Sequence, residues 1–224
     1  MGVTAAKDDV PRAGRGGKDK GRRGFLRELP IVAGLALVIA FLVRTFVVQP
    51  FYIPSGSMEH TLDVQDHVLA SKISYRIHPP HRGDIVVFDP PQQWIDETGD
   101  GGEWIKRVIA VGGDHVRCCT SHGRLVVNGK ALVEPYIYRS VDGKQDPASE
   151  AHFTVTVPKG RLWLMGDHRS DSADSREHYL RTHNAVLSTE PVDKVVGRAV
   201  AVYWPPARVT WLSRPATFAD VPDP

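Results

Sequence analysis

The sequence predicts a mainly β domain, a twisted sheet or partly closed barrel, behind one N-terminal transmembrane helix. Three observations predict it. An uncharged apolar run, PIVAGLALVIAFLV, covers residues 30–43. Short β-type runs separated by turn residues fill the chain from Phe51 onward. No long amphipathic helical pattern follows residue 50.

The chain has 224 residues, enough for one medium domain and an appendage. Its 24% charged and 42% hydrophobic residues are those of a globular protein. The net charge of +2 is unevenly spread. Residues 1–28 carry eight Lys/Arg against four acids, whereas the remainder is slightly acidic. A basic arm fits a membrane surface or nucleic acid. The apolar run beside it favours anionic lipid, and no nucleic-acid partner is expected. Residues 29–48 are about the length that crosses a bilayer core. Their one charge, Arg44, lies near the far end, where it can snorkel to the headgroups. A buried core helix is the competing reading. A cleaved export signal fits less well, because no small-x-small site follows the run. The basic flank places 1–28 in the cytoplasm and 49–224 outside, a single-pass topology in the plasma membrane.

Within 49–224, HVLASKI (67–73), DIVVF (84–88), EWIKRVIAV (103–111), DHVR (114–117), RLVV (124–127), KALV (130–133), HFTVTV (152–157), RLWLM (161–165) and VVGRAVAVYW (195–204) read as strands. Asn128-Gly129 predicts a tight hairpin. Residues 90–102 and 139–151 read as polar loops, and 1–24 as disordered. Cys118 and Cys119 are adjacent. A bond between them, free thiols or contact with another chain all stay open.

Three segments could carry chemistry. In PSGSM (54–58), Pro54 and Gly56 force an irregular backbone that holds Ser57 at a bend. A serine hydroxyl is a weak nucleophile and needs a base. Lys106 alternates onto one strand face with Trp104 and Val108, an apolar setting that disfavours its charged form. His168 beside Asp167 is the competing base. A lysine base works only when neutral, which predicts activity rising toward alkaline pH; a limb near pH 6–7 would point to histidine. The third segment, MGDHRSDSADSR (165–176), is dense in opposite charges and suits an ion-pair network. Neither H-E-x-x-H nor G-x-S-x-G occurs, so a zincin and an α/β-hydrolase are disfavoured, and no metal or cofactor is expected.

In order and spacing, QPFYIPSGSM (49–58), HRGDIVVF (81–88), WIKRVIAVGGD (104–114), MGDHRSDSADSR (165–176) and VGRAVAVYW (196–204) resemble the type I signal peptidases. The resemblance implies a coiled β-sheet catalytic domain that removes signal peptides from exported preproteins. It implies Ser57 as nucleophile, Lys106 as general base, and Ser172 hydrogen-bonding and orienting the Lys106 amine. The Ser57 N–H and the Ser55 hydroxyl would form the oxyanion hole. Phe51, Ile53, Met58 and Ile105 would line shallow pockets for small side chains. Arg107, Asp167, Asp174 and Arg176 would form the ionic scaffold. The partners implied are signal peptides, the bilayer and the secretion machinery. One departure is His168, where many relatives carry Asn; another is the short stretch between Cys118 and Phe153. A LexA-like self-cleaving Ser/Lys protease, or a membrane-tethered β-domain binding protein with an inactive site, are the alternative readings.

Overall fold

A computed structural model describes Gly2, residues 30–41, Arg44, 47–99 and 101–224. The chain divides into two compact units, Met1–Val43 and Arg44–Pro224. In the first, residues 30–41 are helical (α1) and exposed. No helix among the described residues is long and apolar enough to cross a membrane. Most of the basic tail, and part of the expected span 29–48, lie outside the described residues.

The second unit is mainly β. An eight-stranded antiparallel sheet runs β1 (Val48–Tyr52), β2 (His67–Ser71), β11 (Val195–Trp204), β3 (Ile85–Phe88), β4 (Trp104–Val111), β9 (Arg161–Met165) and β10 (Glu190–Pro191), with β12 (Thr210–Trp211) also on β11. A four-stranded sheet runs β7 (Lys130–Ala131), β6 (Val126–Val127), β5 (His115–Cys118) and β8 (Phe153–Thr156). The helices are α2 (Ser74–Ile77), α3 (Gln92–Thr98) and α4 (Ser175–Thr182).

The nine expected strands all form, two of them at the expected bounds. Asn128 and Gly129, at φ 49° and 82°, turn β6 into β7 as the hairpin signal requires. Three strands were not expected. Pro50 and Pro191 disguised β1 and β10, both at ends of the large sheet, where a residue without an N–H can be carried. The two-residue β12 is too short to show a pattern.

The large sheet is apolar on both faces. Ile85, Val87 and Ile105 join Ile53, Met58, Leu62 and Val68 on one side. Val86, Phe88 and Val108 join Trp94, Leu162 and Leu164 on the other. A third cluster, including Ile109, Val116, Phe153 and Trp163, joins the two sheets.

One loop expectation is corrected. Residues 92–98, expected within a polar loop, form α3. Its Trp94 is fully buried, stacks on His178 at 4.2 Å and donates from Nε1 to the Leu187 carbonyl at 3.0 Å. A single large aromatic draws an otherwise polar segment onto the core. In 139–151 the expected loop holds, with only an isolated bridge between Arg139 and Gln145. Cys118 and Cys119 are bonded to each other.

Candidate active site

Two loops and one strand meet at one point. The bend after β1 carries Ser55, Gly56 and Ser57; β4 carries Lys106; the loop between β9 and α4 carries residues 166–174. Lys106 Nζ donates to Ser57 Oγ at 2.6 Å across 49 residues of sequence. Both side chains are nearly closed to solvent, Ser57 at 8% and Lys106 at 5% exposure. The amine also lies 5.6 Å from the centre of the Trp104 ring. Ser55 Oγ, on an exposed residue, is 3.5 Å from Ser57 Oγ. The Ser57 N–H makes no hydrogen bond among the described residues.

This pair sits in an open cleft of about 900 Å³. Phe51, Ile53 and Ile105 line it, as expected, together with Ser55 and Ser172. Met58 does not. It is fully buried in the core beneath the bend, where its Sδ accepts the Asp167 N–H at 3.4 Å. Its unbranched thioether fills a gap in the core and presents no surface to a ligand.

Ser172 also departs from expectation. Its Oγ is buried and has no hydrogen-bond partner among the described residues, so the expected bond to the Lys106 amine is not made. The close contact of that amine goes to Ser57 instead. Ser172 packs into space left open by Gly166, where a Cβ would collide with Ser172 Oγ and with the Ser57 carbonyl oxygen. Gly166 is thus part of the site's geometry, although the sequence reading did not single it out. Only the close approach of two distant loops reveals it.

The ionic scaffold forms, as two separate arrangements. Arg107 holds Asp167 through two bonds, Nε to Oδ1 at 2.8 Å and a terminal nitrogen to Oδ2 at 2.6 Å. Thr61 Oγ1 donates to the same carboxylate at 2.5 Å, and the guanidinium stacks 4.2 Å from the Tyr136 ring. Burial works against the Arg107 charge, but Asp167 outweighs it and holds the group above its ordinary range. Asp174 caps α4, accepting from the N–H groups of Arg176 and Glu177, and its other oxygen accepts from Gly166 N–H at 3.1 Å. Arg176 donates to the carbonyls of Arg169 and Ser172 at 2.6 and 3.4 Å. A third pair was missed: Arg169 donates to Glu134 at 2.7 Å, as does the Tyr136 hydroxyl. Burial, then the Glu134 charge, pushes Tyr136 well up. Nothing local marks the pairing of Glu134 with Arg169, which lies 35 residues away. Among the described residues no cluster of His, Cys, Asp or Glu could hold a metal ion.

A family model described as signal peptidase, peptidase S26, matches residues 26–204. The chain belongs to the signal peptidase family, peptidase S26. Signal peptidase I of Mycobacterium tuberculosis H37Rv is 38% identical over 239 residues, covering 91% of this chain and 79% of that protein. Probable signal peptidase I-2 of Synechocystis is 39% identical over 178 residues, 80% of this chain and 73% of that one. A probable thylakoidal processing peptidase 2 of Arabidopsis thaliana is 34% identical over 176 residues, 78% of this chain and 43% of that protein. The resemblance read from the sequence boxes therefore holds, and with it the reading of the chain as a peptidase.

Proposed function

We propose that this chain removes signal peptides from exported preproteins, cutting after small-x-small sites through an acyl-enzyme. Ser57 Oγ attacks the scissile carbonyl while a neutral Lys106 amine takes its proton across the 2.6 Å contact. The Ser57 N–H and the Ser55 hydroxyl receive the developing oxyanion. As the tetrahedral intermediate collapses, Lys106 returns the proton to the leaving amine, and the mature chain departs. Lys106 then activates a water that releases the signal peptide from Ser57. Phe51, Ile53 and Ile105 give the cleft an apolar wall, which suits an extended peptide with small side chains.

The membrane setting belongs to the same reading. Residues 29–48 would anchor the chain with 1–28 in the cytoplasm. Phe51 follows the anchor by only three residues, which would hold the cleft close to the bilayer where signal peptides emerge.

One observation carries the mechanism: a lysine nitrogen, closed to solvent, in hydrogen-bond contact with a serine held at a bend. Incubation of the detergent-solubilised protein with a preprotein, with N-terminal sequencing of the product, tests it. Ser57→Ala and Lys106→Ala are each expected to lower cleavage by at least about 1000-fold while circular dichroism stays unchanged. Retained cleavage by Lys106→Ala would move the base role to a histidine.

A further inference from the structure

The cleft that holds Ser57 and Lys106 is also lined by Glu103, Glu150, Asp171 and Glu177, and by Arg169, Arg176 and Arg181. The guanidinium groups are already engaged. Arg169 is fully buried and donates to Glu134 at 2.7 Å. Arg176 donates to the Arg169 carbonyl at 2.6 Å and lies 3.5 Å from Asp174. Arg181 is shared by two acids, Glu97 at 3.1 Å and Glu177 at 2.9 Å. Lys106 works as a base only when neutral. Glu103, Glu150 and Asp171 are exposed, and their carboxylates enter no ion pair or hydrogen bond among the described residues. The cleft therefore keeps a surplus of negative charge.

These carboxylates come from three separate stretches of chain. Glu103 directly precedes β4, which carries Lys106. Glu150 lies in the loop before β8. Asp171 precedes Ser172, and its Oδ2 comes within 3.3 Å of the point that a Gly56 side chain would occupy, beside the bend of Ser57. Ser172 gives a second, independent sign of a ligand. It lines the same cleft at 9% exposure, and its Oγ has no partner among the described residues. A buried hydroxyl left open on a binding wall is completed by a polar group of the bound chain. A cleft lined by one sign of charge focuses the field and gathers the opposite charge. The small side chains held by Phe51, Ile53 and Ile105 bring no charge, so the cation belongs to the residues that flank them.

We propose that Glu103, Glu150 and Asp171 form a subsite for a cationic side chain, giving the cleft a preference for Lys or Arg in the peptide segment that flanks the small-x-small pair. The inference deepens the reading of the cleft given above and rests on it. An acidic side chain at the same place meets repulsion. Each carboxylate is open to solvent and contributes modestly, so the preference is the joint effect of the three. Salt screens it.

The full-length chain in detergent is given synthetic peptides that share one small-x-small site and carry a single Lys, Gln or Glu at successive positions on either side of it. At one or two of these positions kcat/KM should be about 3- to 10-fold higher for Lys than for Gln, mainly through a lower KM, and lowest for Glu. The advantage of Lys should shrink in about 0.5 M salt. In a Glu103→Gln, Glu150→Gln, Asp171→Asn enzyme the Lys and Gln peptides should come within about twofold of each other. The three single substitutions should each lower the Lys-to-Gln ratio, and they serve where the triple variant does not fold. The ratio is read within one preparation, so a loss of folded protein does not alter it. No position that favours Lys in the parent, or a preference that survives all three substitutions, would overturn the inference. A parent that cleaves no peptide would overturn the reading of Ser57 together with it; an active parent indifferent to the charge would remove this inference alone.

Discussion

Glu190 is fully buried on β10, and neither carboxyl oxygen has a hydrogen-bond partner among the described residues. Burial pushes its pKa up to about 8, against the opposing pull of Arg161. Between the ordinary carboxyl range and about pH 8, the unfolded chain has released a proton that the folded chain still holds. Stability therefore falls as pH rises through that window. Glu190→Gln removes the effect. The variant should melt close to the parent near pH 4, and its advantage should grow to about 5 °C or more by pH 8 in thermal scans. An advantage that stays constant from pH 4 to 8 would contradict the burial argument. The sequence offered no sign of this residue: a lone Glu before a Pro reads as a turn, and only the packing of β10 on β9 buries it.

At the scale of elements, the loop from Gly166 to Asp174 and the helix α4 behave as one piece because Asp174 serves both. Its carboxylate caps the helix and holds the Gly166 N–H, and Gly166 in turn packs against Ser57 and Ser172. Asp174→Ala should cost about 2–4 kcal/mol, combining a lost cap with a buried N–H left unpaired. Urea denaturation measures the stability loss. Because the same bond sets Gly166, kcat should fall in the variant even under conditions where it is fully folded. The longer central strands of the large sheet were legible through alternation and turn residues, whereas β1, β10 and β12 were not. The helix α3 was not, because one buried tryptophan among polar neighbours makes no periodic pattern over seven residues.

For the whole molecule, the proposed arrangement is an anchored catalytic domain working at the bilayer surface. The full chain expressed in bacteria should stay with the membrane pellet through alkaline carbonate extraction, and a chain beginning at Arg44 should leave it. Protease added to intact spheroplasts should degrade the β domain and spare the basic tail. Release of the full chain by carbonate would remove the anchor from the reading and leave the site chemistry standing.

Nine of the twelve strands, the Asn128-Gly129 hairpin, the apolar segment and the Ser57, Lys106 and 165–176 stretches of the site were legible in the sequence. Those features are local: side-chain alternation, turn chemistry and run length act over a few residues, and the family's boxes are contiguous. The tertiary structure alone decided which side chains touch. It put Lys106 against Ser57, sank Met58 into the core, left Ser172 without the amine, and brought Gly166 and Glu134 into the account. Those outcomes depend on contacts made across dozens of residues, where the close packing of two sheets and two loops limits where each group can sit.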